Sequence, residues 1–249
     1  MSDHKFELQA GQYAFPYHFI VDLQQQKFVK TLPGGLSYLN YMSKVIELVK
    51  KYATSTMLDI GCGDGFLLTN LTNDSDFDNK IQALGVDLDE RPIKFAQAFS
   101  FGRKVVFKAA DIKDLTQSFN LISVVETLEH ISDELMPAFL QNIDRLLAPG
   151  GTLIISVPSQ NVPVISKHYR HYVASMLTEY FPHYQVLETH YMCDDNNFWY
   201  KIIQKLLCNQ KLNLNYSIFR KFFLRLNNKY FAETTKDKGS HVLMVFKKI

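Results

Sequence analysis

Two acidic residues stand beside glycines or apolar runs at points where a buried strand would end. Asp59 precedes the turn Gly61-Cys62-Gly63-Asp64-Gly65, and Asp87 closes the run Ile81 to Val86. A carboxylate there accepts a pair of hydroxyls or meets a positive charge, whereas a phosphate would need donors in the same place. Further along, Glu126-Thr127-Leu128-Glu129-His130 follows the apolar run Leu121 to Val125 and groups two carboxylates with an imidazole. Such side chains hold and move protons. Lys167-His168-Tyr169-Arg170-His171-Tyr172 adds two further imidazoles.

The elements that position these groups follow from periodicity and punctuation. Thr56 to Ile60 is a short apolar run of the kind that forms a central parallel strand, and the glycines after it allow a tight turn into a helix opening near Asp64 and running through Phe66, Leu67, Leu68 and Leu71. Ahead of it, Leu39, Met42, Val45, Ile46 and Val49 repeat at helical spacing within 36–52. Residues 73–76 read as a polar loop, 81–86 as a second strand, 91–101 as a helix with Pro92 in its first turn, and 105–107 as a third strand leading to Ala110-Asp111-Ile112. The fourth strand, 121–125, is followed by a helix through Leu135, Phe139, Ile143 and Leu146 that Pro149-Gly150-Gly151 should stop. Strands at 152–157, 184–189 and 241–246 complete the set, with a helical insertion over 194–238. Alternating strands and helices imply right-handed crossovers in an α/β, doubly wound, mostly parallel seven-stranded sheet, with ligands at the carboxyl ends of its strands.

Size and composition bound the rest. A chain of 249 residues that is 47% hydrophobic can enclose one large core, so we expect a main domain over 36–249 preceded by an aromatic segment, 1–35, that caps a pocket or simply packs. A formal charge of +2 gives no global electrostatic case for nucleic acid. Cys62, Cys193 and Cys208 are scattered without CxxC spacing, which fits a reducing compartment. With neither a signal-peptide pattern nor a membrane-spanning run, the expected location is cytoplasmic.

Leu58-Asp59-Ile60-Gly61-Cys62-Gly63-Asp64-Gly65, Gly85-Val86-Asp87, Ala110-Asp111-Ile112 and Leu146-Leu147-Ala148-Pro149-Gly150-Gly151 occur in the order of the motifs of class I S-adenosylmethionine-dependent methyltransferases, and over about 55–160 the chain resembles that family. The resemblance implies S-adenosylmethionine as cofactor, with Asp59, Gly61, Cys62, Gly63 and Gly65 around its amino-acid and sulfonium end, Asp87 on the ribose, Leu88, Asp111 and Ile112 at the adenine, and Glu126 close by. Asp111 serves equally as a turn cap. The same resemblance puts the acceptor near Glu126, Glu129 and His130, with His130 as base, and His168, His171, Tyr172 and Tyr17 as substrate contacts. Tyr172 could equally be core.

The acceptor stays open. Loop segments such as Phe15-Pro16-Tyr17-His18 and Val157-Pro158-Ser159-Gln160 resemble bacterial methyltransferases of surface-polysaccharide and glycan biosynthesis, which implies O-methylation of a sugar-like hydroxyl or another small-molecule acceptor. Glu126, Glu129 and His130, with His171, are also similar to the metal-binding run of small-RNA 3′-terminal 2′-O-methyltransferases, which would imply a divalent metal and an RNA end. The segment after His171 lacks the Phe-Glu-Trp of that group, which counts against the RNA substrate, and the same Glu-x-x-Glu-His run also resembles that of metal-free methyltransferases such as the ubiquinone-type O-methyltransferases, so the expected site is metal-free. A non-catalytic cofactor-binding scaffold is the third reading. In the insertion, Lys201, Lys205, Lys211, Arg220, Lys221, Arg225 and Lys229 interleave with Phe198, Trp199, Phe222 and Phe223, a pattern that suits a packed helix with a wet basic face, a peripheral membrane contact or a homodimer surface.

Overall fold

The computed structural model describes residues 35–72, 74–208 and 217–249, together with 5, 7, 8 and 11. Tyr17 and the aromatic run around it lie outside the described residues.

Helix α1 (Gly35–Tyr52) leads into β1 (Thr56–Ile60), α2 (Phe66–Leu71), α3 (Ser75–Lys80), β2 (Gln82–Asp87), α4 (Glu90–Phe99) and β3 (Val106–Ala109). Then come β4 (Phe119–Val125), α5 (Met136–Leu146), β5 (Leu147–Pro158), α6 (Ala174–Tyr180), β6 (Tyr184–Met192), α7 (Phe198–Cys208), α8 (Ser217–Tyr230), β7 (Glu233–Thr234) and β8 (His241–Lys248). Single 3-10 turns at Ile112–Asp114 and Leu128–His130 follow β3 and β4. The strands form one sheet in the order β3-β2-β1-β4-β5-β8-β6-β7. The first five are parallel, and β8 lies antiparallel between β5 and β6.

Helices cover both faces, which is why the central strands read as unbroken apolar runs rather than alternating ones. Along β8, Leu243 and Val245 enter the core under α1, whose Leu36, Val45 and Val49 are fully buried, while Val242, Met244 and Phe246 enter the opposite core with Ile143 of α5 and Leu177 of α6. Leu58 of β1 is fully buried, and its replacement by Ala should cost about 2–5 kcal/mol.

Three expectations need correction. Of the loop expected at 73–76, residues 75 and 76 are already helix, because the Asp74 side chain accepts the Asp76 N–H and caps α3. Pro149-Gly150-Gly151 does not separate helix from strand: β5 has already begun at Leu147, and residues 148–151 bulge out before pairing resumes between Leu121 and Thr152. Besides the expected strands, the two-residue β7 pairs with the end of β6.

β1 has β2 on one side and β4 on the other, so the crossovers run outward in opposite directions from it. The carboxyl ends of these three strands therefore border a crevice that no connection covers.

Candidate active site

The glycine turn is set by backbone geometry first. Gly61, Gly63 and Gly65 all have positive φ (71°, 54° and 78°), and the N–H groups of Gly61 and Cys62 both donate to the Val86 carbonyl of β2. At Gly61 the requirement is also steric: a Cβ there would sit 2.3 Å from Thr127 Oγ1. The turn after β1 and the turn after β4 are thus in contact, with the Thr127 hydroxyl within hydrogen-bonding distance of the Ile60 and Val125 carbonyls.

Asp59 is buried at the level of Gly85 on β2 and Ser123 on β4, and accepts the Ser123 hydroxyl at 2.6 Å. Burial, with the charge of Asp87 nearby, pushes its carboxyl up to about 7. Asp87 accepts the Gly63 N–H at 3.1 Å and the Asp89 N–H at 2.9 Å, and burial raises it as well. A buried carboxyl raised further by a neighbouring carboxylate is a place where a bound cation is stabilising. Next to them Leu88 is 64% exposed, a large apolar side chain facing solvent at the crevice edge. Ile112 is buried, and Asp111 is committed to the turn: it accepts the Lys113 N–H and pairs with the Lys113 ammonium, both at 3.0 Å. The cap reading therefore describes Asp111 here. The Cys62 thiol is buried and held protonated by that burial.

Beyond β4 the chain divides two groups that the sequence joins in one run. Glu126 has a positive φ of 51°, a costly conformation for a residue with a side chain, and its carboxylate crosses the end of β5. It accepts the Ser156 hydroxyl at 3.2 Å and lies 3.3 Å from Nε2 of His241, the first residue of β8. Glu129 and His130 do not share that contact, although the charge of Glu126 reaches both. Glu129 is 1% exposed, its Oε2 has no hydrogen-bond partner, and burial together with the charge of Glu126 holds it well above the usual carboxylate range.

The histidines around Glu129 are ordered by their hydrogen bonds. His171 Nδ1 meets the Val162 carbonyl at 2.9 Å, so it carries the proton and leaves Nε2 to accept from His168 Nδ1, 2.9 Å away. His130 Nδ1 meets the Lys167 carbonyl at 3.1 Å. Both His130 and His168 then keep an unprotonated Nε2. One ligand atom each from Glu129, His130 and His168 falls within 4.8 Å of the other two. Burial pushes His130 down to about 4 and His168 to about 3, so both are neutral near pH 7. Two neutral imidazoles and a buried carboxyl with an orphaned oxygen fit a divalent cation. That set contains His168 in place of His171, which stands one step behind it, and omits Glu126, which is tied to His241. Tyr172 is core: it is fully buried and its hydroxyl donates to the Leu128 carbonyl, supporting the turn from beneath.

Three contributors were not anticipated. Ser123 had a signal, a hydroxyl in the middle of an apolar strand. Ser156 repeats it one strand over, whereas His241 had none, because only the placement of β8 beside β5 brings it to this edge.

Residues 37–201 match the family described as "Methyltransferase domain", and the chain belongs to that family. Its methyltransferase domain has the α/β Rossmann-like fold of that class. Among curated proteins it is similar to the ubiquinone biosynthesis O-methyltransferase of Vibrio cholerae serotype O1, 26% identical over 130 residues that make up 50% of this chain and 49% of that one. It is also similar to phosphoethanolamine N-methyltransferase of Triticum aestivum, 30% identical over 136 residues, 53% of this chain and 25% of that one. The chain thus spans half or less of the length of these two relatives. Among solved structures, magnesium protoporphyrin IX methyltransferase from Synechocystis PCC 6803 with bound SAM superposes with a TM-score of 0.61 at 12% identity, covering 100% of this chain and 99% of that one. Among the described residues no helix is long and apolar enough to cross a membrane.

Proposed function

We infer that the chain methylates a hydroxyl oxygen on an acceptor with neighbouring hydroxyls, the ring diol of a sugar or glycan precursor being the case its loop sequences suggest. The observation that carries this reading is the convergence of Glu129, His130 and His168, a carboxyl whose Oε2 is without a partner beside two imidazole nitrogens that can accept. The name of the Vibrio relative favours oxygen as the methylated atom.

S-adenosylmethionine supplies a methyl group already activated on a sulfonium. What remains for the protein is alignment and removal of a proton. Asp59, Asp87 and the backbone of Gly61, Gly63 and Gly65 hold the donor, with Cys62, Leu88, Asp111 and Ile112 around it. Glu126, Glu129, His130 and His168 face the acceptor, and His171 fixes the tautomer of His168. Lys5 donates to the carbonyls of Ser166 and His168 at 3.0 and 2.8 Å, which supports a covering role for the N-terminal segment.

The same cluster favours a second reading, in which Glu129, His130 and His168 hold a divalent cation that, when bound, lowers the pKa of the acceptor hydroxyl. One experiment serves both: transfer of labelled methyl from S-adenosylmethionine to catechol, a nucleoside-diphosphate sugar, phosphoethanolamine and a short RNA duplex, with and without chelator. Methylation of phosphoethanolamine alone would sink the hydroxyl reading. Activity indifferent to chelator would sink the metal.

A further inference from the structure

Glu126 and His241 come together from distant parts of the chain at the carboxyl edge of the sheet. The pair is enclosed. Tyr41 of α1 lies against the His241 ring, centroids 4.4 Å apart and planes 32° from parallel. From Tyr41 the aromatic contacts continue edge to face through Tyr38 (5.4 Å) to Phe66 (5.1 Å), the first residue of α2 directly after the glycine turn. One aromatic wall thus runs from the methyl-donor turn to the His241 imidazole.

The hydrogen bonds around His241 accommodate either charge state. Nδ1 lies 3.0 Å from the Ser240 hydroxyl, which has the Met192 carbonyl at 3.4 Å as its other partner. With the ring neutral, Nε2–H donates to Glu126 and the serine donates to Nδ1. With the ring protonated, Nδ1–H donates to the serine, which turns its proton to Met192. Glu126 meanwhile keeps spare lone pairs: Oε1 accepts from Ser156, Oε2 faces His241, and the carboxylate has room for one more donor.

We propose that Glu126 takes the proton of the methyl acceptor and that His241 is its positioning residue, fixing the carboxylate on the acceptor side of the aromatic wall. This rests on the hydroxyl reading above. In the step, the acceptor O–H bond breaks and its proton passes to Glu126. The freed oxygen pair forms the new O–CH3 bond, and the pair of the broken C–S bond stays on sulfur, leaving a neutral thioether.

Charged and titratable groups face His241 from each packed element: Tyr41 of α1, Glu126 after β4 and Asp195 ahead of α7. Burial of the ring opposes its protonation, but Glu126, by charge and hydrogen bond, and then Asp195 carry it above the ordinary imidazole value. As pH falls through that raised value, the imidazolium reduces the basicity of Glu126 and the rate should fall.

The test has two arms on the full chain. In the first, imidazole resonances are titrated by NMR with S-adenosylhomocysteine present, where His241 should titrate above the ordinary range and drop by at least about one unit in Glu126→Gln. In the second, methyl transfer to catechol is measured across pH. Glu126→Gln should lower kcat about 100-fold or more. His241→Gln should lower it about tenfold with KM for S-adenosylmethionine within about twofold, and move the acid limb of the profile to lower pH. Because the pair acts as one unit, the double variant should be no slower than Glu126→Gln alone. An ordinary His241 titration in both proteins, a wild-type kcat and acid limb in His241→Gln, or additive losses in the double variant would each overturn the proposal. If His241→Gln fails to fold, Glu126→Gln, which leaves β8 intact, still decides through both arms. A wild-type chain that methylates phosphoethanolamine but neither catechol nor the nucleoside-diphosphate sugar counts against the hydroxyl reading instead, and the NMR arm then decides whether the pair exists.

Discussion

His130 and His241 each lie beside a glutamate of the same short run after β4, and their surroundings drive them in opposite directions. His130 lies among other imidazoles and a buried carboxyl raised toward its neutral form, so burial wins and the ring stays uncharged. His241 is also enclosed, but the Glu126 carboxylate at 3.3 Å outweighs the burial. Burial alone therefore does not decide what an imidazole does; the charge state of its partner does. A neutral cluster is equipped to receive donors or a cation, and a carboxylate–imidazole pair to take up a proton.

The largest expected effect comes from Gly61→Ala, which attacks the run carrying both glutamates. Its Cβ would fall 2.3 Å from Thr127 Oγ1 at a φ of +71°, so the turn after β4 must shift. We expect cofactor affinity by calorimetry to fall more than about 100-fold, with strain of roughly 1–2 kcal/mol from the backbone alone. Wild-type affinity would mean that the two turns are not mechanically joined.

Stability against pH separates the two histidines. His130 titrates near 4 in the fold against an ordinary value of 6.5, so the stability it contributes is present above about 6.5 and lost as pH falls toward 4. His130→Gln should flatten the acid side of a pH–stability curve by roughly 2–3 kcal/mol. His241, raised in the fold, contributes stability that is present below its unfolded value and lost as pH rises through its folded one. His241→Gln should therefore flatten the curve on the neutral side. Denaturant melts across pH read both, and flattening on the same side in the two variants would erase the contrast.

The smallest effect asks whether the donor side obeys the same logic. Asp59 is raised to about 7 in the unliganded protein, and a bound sulfonium would favour its ionised form. Affinity for S-adenosylmethionine should rise about tenfold between about pH 6 and about pH 8. The slope should vanish in Asp59→Asn.

The sheet was legible because parallel strands buried on both faces leave continuous apolar runs, and because Asp59 and Asp87 mark where two of them end. Periodicity carried the long helices equally well. Helix α6 was missed because a seven-residue segment offers too few turns for a period to register, and α3 because its capping Asp74 reads like any loop acid. In the acceptor region the spacing of residues misled. Glu126 and Glu129 are three apart, which on a regular helix would share a face, but with a left-handed backbone at Glu126 the two carboxyls meet different partners, His241 for one and the His130–His168 cluster for the other. The choice of His168 over His171 lies in an irregular segment where nothing periodic ranks one above the other. The partnership of Glu126 with His241 depends on a strand far along the chain being placed next to β5, information held by the tertiary fold alone.

That placement has a consequence for assembly. As the chain is synthesised, β1 to β5 can associate and enclose the donor crevice well before β8 emerges, since domains form from the N-terminal side first. The Glu126–His241 contact forms only once the last strand lies between β5 and β6, so it is among the last contacts of the sheet to be made.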